Sequence, residues 1–195
     1  MNKISITKII LASQSPRRVV LLKQMGFDCM IMPADIDEAV YANELPTDYV
    51  LRLAKQKALA ALKKLNGQHA DLPILAADTT VAFGAQIFGK PEKDADAFHM
   101  LKQLSCNTHQ VHTAIAVAFK GNLETALNIT QVEMMPLTDA MIAEYVATGE
   151  PRDKAGSYAI QGLAGNWIKR IDGSYTGVMG LPVYETAMLL HTIGR

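Results

Sequence analysis

The chain has 195 residues, 49% of them hydrophobic, enough to bury a sizeable core as one domain or as two lobes sharing a core. Nineteen Lys and Arg balance nineteen Asp and Glu, so no global field draws it to nucleic acid or a membrane surface. Any basic site must therefore be local. The N-terminal stretch MNKISITKIILASQSPRR holds one apolar run, far shorter than a signal or spanning segment, and predicts a cytoplasmic location. Cys29 and Cys106 form no CxxC pattern and read as reduced thiols.

Residues 9–12 predict a buried strand, followed by a helix from Pro16 to about Met25 that Gly26 stops. Residues 27–32 predict a second strand, and the acidic loop ADIDEA follows. Thr47 is positioned to cap a helix to about Leu65, with Leu51, Ala54, Ala58, Ala61, Leu62 and Leu65 as its apolar stripe. PILAADTTVAF reads as a strand, and GAQIFGKP as a short hairpin arm. Residues 94–104 predict a helix with Ala97, Leu101 and Leu104 inward. Two strands, QVHTAIAVAF and LETALNITQVEM, flank a Lys120-Gly121-Asn122 turn. Thr138 caps a further helix that Gly149 stops. The Gly-rich region 156–180 is expected to hold two short strands, and a final helix starts near Pro182. The order predicts an α/β fold with a mixed, strongly twisted sheet and flanking helices.

Ser13, Ser15, Arg17 and Arg18 sit where the first strand turns into the first helix. Helix N-termini carry partial positive charge, so two arginines there oppose the dipole by about 0.3–1 kcal/mol each. Exposed N–H groups, hydroxyls and guanidinium forks together match a phosphate, whose binding would offset that repulsion. The alternative is a Ser15 cap with both arginines in solvent. Asp78 interrupts an apolar strand, which is costly unless it is paired, hydrogen-bonded or on a metal. It could also cap a local turn. Asp35, Asp37 and Glu38 supply carboxylates of the kind Mg²⁺ needs beside substrate phosphates, or simply a solvated loop. Lys57 and Lys90 read equally as phosphate contacts or surface lysines. The Gln161 amide can read a base edge or be an ordinary loop amide. No GxxxxGK[ST] or GxGxxG motif occurs. His109 and His112 would face opposite sides of a strand, which argues against a shared zinc.

LASQSPRRVVLLKQMG, IDE, LAKQKA, AADTTV, GKP, QLSCNTHQVHTAIAV and DKAGSYAIQGLAG with IDGSYTGVMGLPVYET together resemble the Maf family across nearly the whole chain. The resemblance implies one domain over residues 1–195, with two lobes around a cleft, as in Maf and ITPase-like folds. It also implies a nucleoside triphosphate pyrophosphatase that splits the α–β phosphoanhydride with a divalent metal (Mg²⁺, Mn²⁺ or Co²⁺). By motif, Asp78 becomes the proton acceptor. Ser13, Arg18, Glu38, Lys57 and Lys90 become phosphate and metal groups, with Glu38 and Asp78 on the metal. Arg17, Thr79 and Gln161 fall at specificity positions and match the dTTP/UTP branch, with modified pyrimidine nucleotides as further candidates. The 7-methyl-GTP branch has a bulky aromatic in place of the first arginine and an SDQ-like stretch in place of ADT. The family also carries a long-standing association with cell division and septum formation, so a non-catalytic nucleotide-binding regulator is the rival from another class. A homodimer is the implied assembly, with neither nucleic acid nor membrane as partner.

Overall fold

The computed structural model describes residues 7–193; the first six residues of the stretch read for a leader lie outside it. Seven strands form one mixed sheet: β1 (Lys8–Leu11), β2 (Asp28–Ile31), β3 (Ile74–Phe83), β4 (Gln86–Phe88), β5 (Thr108–Phe119), β6 (Asn122–Met134) and β7 (Ile168–Asp172). Their order is β2-β1-β3-β5-β6-β7, with β4 also pairing to β3. β1 runs parallel to β2 and β3, and every other pair is antiparallel. The helices are α1 (Pro16–Gln24), α2 (Pro46–Leu65), α3 (Asp94–Leu104), α4 (Asp139–Ala147), α5 (Tyr175–Val178) and α6 (Val183–Ile193). None of the described helices is long and apolar enough to cross a membrane.

Local chemistry explains most boundaries. Pro16 occupies the first turn of α1, where its missing N–H costs nothing, and Gly26 follows at φ +86°. The Thr138 hydroxyl accepts from the Met141 N–H and caps α4, as expected. Lys120 and Gly121 both have positive φ, 48° and 83°, which suits the twist of the β5–β6 hairpin.

Two expectations need correction. α2 starts two residues earlier than a Thr47 cap allows: Leu45 is the N-cap and Pro46 opens the helix. Its buried stripe is Val50, Leu53, Ala54, Ala58, Ala61 and Leu65, while Leu62 is exposed and Leu51 only half-buried. The contact face is rotated because small alanines of α2 pack against Ala114, Ala116 and Ala118 of β5. The Gly-rich region holds one strand, β7, rather than two. Gly156 and Ser157 adopt φ +66° and +63°, which breaks any extended run into short 3-10 turns.

Alternation along the strands sorts the core. α2 covers the face bearing Ala76, Ala114 and Ala116. The opposite face is shared. α1 and α6 pack on Leu75, Ala77, Ile115 and Val117, whereas α3 and α4 pack on Val81, Val111 and Val132. β3 is where the sheet splits. β1 leaves it after Leu75, where the Ala12 N–H makes a 2.8 Å bond to the Leu75 carbonyl, and β4 joins only at Val81. Between those points β3 keeps β5 alone as its neighbour.

His109 and His112 are both buried, on opposite faces of β5 as expected. His109 Nε2 lies 2.7 Å from the Tyr158 hydroxyl, and His112 Nε2 lies 3.1 Å from Gln110 Oε1. Burial pushes the His109 imidazole down to about 4 and lowers His112 as well. An unfolded histidine titrates at about 6.5, so below that pH the unfolded chain takes up a proton that the folded chain refuses. Stability is therefore expected to fall as pH drops from about 6.5 towards 4, with His109 contributing about 3 kcal/mol. Urea midpoints measured across that window are expected to vary less with pH in His109→Gln, with His112 leaving a residual slope.

Candidate active site

The gap in β3 holds Asp78 and Thr79. Alternation turns Asp78 towards α2, like Ala76, and turns Thr79 to the opposite face. Asp78 is only 6% exposed. Its Oδ1 lies 2.6 Å from Lys57 Nζ, and the same ammonium lies 2.7 Å from Glu38 Oε1. Lys57 reaches inward from the middle of α2, and Glu38 from the unstructured acidic loop. Burial raises the Asp78 carboxyl above its ordinary range, against the opposing pull of Lys57 and Arg18. Glu38 is driven up by burial, but the hydrogen bond and charge of Lys57, with Lys90 and Arg18, outweigh it and hold the carboxyl low. The two carboxylates thus differ: at Asp78 burial outweighs the cationic neighbours, and at Glu38 the neighbours outweigh burial.

On the other face Arg18 acts as a buttress. Its Nε donates to the Gly180 carbonyl at 2.8 Å, Nη1 to Ser13 Oγ at 3.0 Å and Nη2 to Thr79 Oγ1 at 3.3 Å. Thr113 Oγ1 donates to the Gly177 carbonyl at 2.8 Å and lies 2.9 Å from Thr79 Oγ1. One direction satisfies all three groups: Arg18 donates to Thr79, Thr79 to Thr113, and Thr113 to Gly177. Arg17 Nε donates to the Met179 carbonyl at 3.3 Å. Burial brings Arg18 down to about 10, and neighbouring Arg17 adds to this, while Asp78 and Glu38 oppose it. The arginines at the positive end of α1 are therefore held by carbonyls from residues 177–180, more than 150 positions away in sequence.

A cleft of about 830 Å³ joins these parts. Ser13, Arg17, Arg18, Glu38, Lys57, Asp78, Thr79, Lys90 and Gln161 all line it. They do not all touch. Lys57 is engaged by the two carboxylates, Arg18 by Ser13 and Thr79, while Lys90 and Gln161 stand exposed on the walls. Asp35 lines the cleft too. Tyr49, Asp153, Lys154 and Tyr158 also line it, and none of them carries a local signal in the sequence. Three of these sit in DKAGSYAIQG, where only Gln161 stood out. Lys154 pairs with Asp153, and the Gly156 N–H bonds to the Gly89 carbonyl at 3.1 Å, which draws that segment to the Lys90 turn.

The donor set suits a hard divalent cation. Glu38 and Asp78 converge on one ammonium, which stands where a cation would be attracted, and neighbouring cationic side chains leave room for substrate phosphates. Among the described residues no group of three or more His, Cys, Asp or Glu forms a closed cage. Magnesium bound through one or two carboxylates plus phosphates needs none.

Residues 8–193 match the family described as "Maf-like protein". The chain belongs to the Maf family. A Maf relative from Methylobacillus flagellatus named "dTTP/UTP pyrophosphatase" is 56% identical over 98% of this chain and 95% of its own length. One of the same name from Colwellia psychrerythraea is 48% identical over 96% of this chain and 89% of its own. A "Nucleoside triphosphate pyrophosphatase" from Haemophilus ducreyi is 44% identical over 95% of each. Among solved structures, that of the Staphylococcus aureus Ham1 protein aligns with 65% of this Maf chain and 71% of its own, at TM-score 0.45 and 17% identity.

Lys57 is a principal force holding the Asp78 carboxyl down against burial. Lys57→Met is expected to move the Asp78 titration further up. Carboxyl ¹³C chemical shifts followed against pH would show this, and an unchanged midpoint would remove Lys57 as a control on Asp78.

Proposed function

We propose that this Maf chain hydrolyses dTTP and UTP, with modified pyrimidine nucleotides as further candidates, to the nucleoside monophosphate and pyrophosphate. The observation that carries this is the buried Asp78 carboxylate sharing the Lys57 ammonium with Glu38, in a cleft that Arg17 and Lys90 also line. The names of the relatives above support the same reaction.

In this reading the triphosphate enters with its charge towards Lys57, Lys90 and the Ser13–Arg18 turn. Lys57 engages Oδ1 of Asp78, which leaves Oδ2 to orient a water and accept its proton. The water oxygen bonds to phosphorus as the phosphoanhydride bond breaks, and pyrophosphate departs with the bonding electrons. Arg18 and the lysines stabilise charge that builds on that leaving group, and positioning and electrostatics supply most of the rate in phosphoryl chemistry. A divalent cation, held by Glu38 and Asp78 when bound, supplies further neutralisation and polarises phosphate oxygens. Arg17, Thr79 and Gln161 select the base. The Gln161 amide offers an adjacent donor and acceptor for the edge that thymine and uracil share.

We read the chain as one Maf-like domain over residues 1–195, cytoplasmic and paired with a second copy. The continuous sheet supports the first point. Exposed Tyr184 and Met188 on α6 give a second copy an apolar face to cover.

Pyrophosphate release from dTTP, UTP, CTP and 7-methyl-GTP with Mg²⁺ tests the activity. Turnover of dTTP and UTP well above the others is expected. Preferred turnover of 7-methyl-GTP, or binding with no turnover of any, would overturn it. Gln161→Ala is expected to raise KM for dTTP and UTP about tenfold, the scale of one lost hydrogen bond, with kcat largely kept. A uniform loss across all triphosphates would argue against base reading.

A further inference from the structure

Glu38 must stand at the Asp78–Lys57 pair, yet residues 32–45 contain neither helix nor strand. Sheet bonding reaches only its first residue, where the Met32 N–H donates to the Leu11 carbonyl at 2.9 Å. Two side chains from α2 grip its backbone. The Tyr49 hydroxyl donates to the Glu38 carbonyl at 3.0 Å, and Arg52 Nη2 donates to the Ala39 carbonyl at 2.9 Å. Arg52 is itself locked. Its Nε and Nη2 form a fork on Glu44 at 2.6 and 2.7 Å, and its guanidinium lies 3.9 Å from the Tyr41 ring centroid. Glu44 also accepts from the Tyr41 N–H at 3.0 Å, so the far end of the loop is tied to the same arginine. The Arg52 side chain is only 16% exposed, and that of Glu44 only 8%.

Tyr49 and Arg52, three residues apart, are neighbours on one side of α2, and Lys57 follows further along the same helix. The first two hold the backbone at Glu38, and the third holds its side chain. We propose that Arg52 is a positioning residue which, with Tyr49, fastens the Glu38 loop to α2 and so sets the affinity of the Glu38–Asp78 site for a divalent cation. This rests on the reading of those two carboxylates as the cation site. Without the strap, the loop's freedom must be frozen by the cation itself, which weakens binding. Lysine cannot replace arginine here, because it lacks the planar fork that spans Glu44 and the Ala39 carbonyl.

Mn²⁺ binding to the full chain without nucleotide, followed by the electron paramagnetic resonance of free Mn²⁺, tests this. Glu38→Gln is the reference variant. Arg52→Met is expected to weaken Mn²⁺ binding about 10- to 100-fold, the usual scale for residues that orient metal-holding groups. Arg52→Lys is expected to recover little of that, and Tyr49→Phe to shift binding the same way by less. The decisive result is non-additivity: Arg52→Met in the Glu38→Gln background should cost little more, because Arg52 acts through Glu38. A full additional loss there, or unchanged Mn²⁺ binding in Arg52→Lys and Tyr49→Phe, would overturn the proposal. If Arg52→Met does not fold, those last two variants decide it. Unchanged binding in Glu38→Gln itself would overturn the cation-site reading, and the proposal with it.

Discussion

The ion pair between Asp78 and Lys57 is the constraint around which the rest of this structure is arranged. A carboxylate removed from water costs several kcal/mol unless a partner compensates it, and removing one partner strands the other. Asp78 follows the apolar run Ile74–Ala77 in β3, and Lys57 lies in an alanine-rich stretch of α2, so each buried charge depends on the other. The alanines of α2 and β5 let helix and sheet approach closely enough for the 2.6 Å contact. The departure of β1 after Leu75 opens the floor of a cleft at that point. Ligands in open α/β sheets gather where neighbouring strands diverge, and this sheet places its one deeply buried carboxylate there.

Much of this was legible before any coordinates. Asp78 stood out because an acid inside ILAADTTV conflicts with its surroundings, and such conflicts mark functional sites. Arg17 and Arg18 stood out because they oppose a helix dipole. Local signals also placed α1, between Pro16 and Gly26, and β3, in the apolar run before Asp78. The nine residues at which the family motifs fall all line one cleft, whereas Asp37 of the acidic loop does not.

What the sequence concealed is tertiary. Arg18 donates to Gly180 and Arg17 to Met179, and no local pattern links residues so distant. Thr79 reads as a specificity position, yet its hydroxyl is built into a directional chain from Arg18 to Thr113 and Gly177. The Arg52 fork on Glu44 was invisible because charged residues eight apart across a loop–helix junction look like solvated surface. The missing strand in the Gly-rich region follows from backbone strain: Gly156 must take φ +66°, and a side chain there would meet Val81 at 2.6 Å. That packing, not hydrophobic alternation, fixes the segment bearing Tyr158 and Gln161.

The two faces of β3 divide the labour. Asp78 looks towards α2 and its contact with Lys57, and Thr79 looks towards the arginines and the 177–180 segment. The most direct measurement is dTTP binding and pyrophosphate release by Asp78→Asn, compared with the unaltered chain. Nucleotide binding is expected to persist while pyrophosphate release is lost. Pyrophosphate release at the unaltered rate would contradict the account, because the buried carboxylate on which the structure is centred would then have no part in the chemistry.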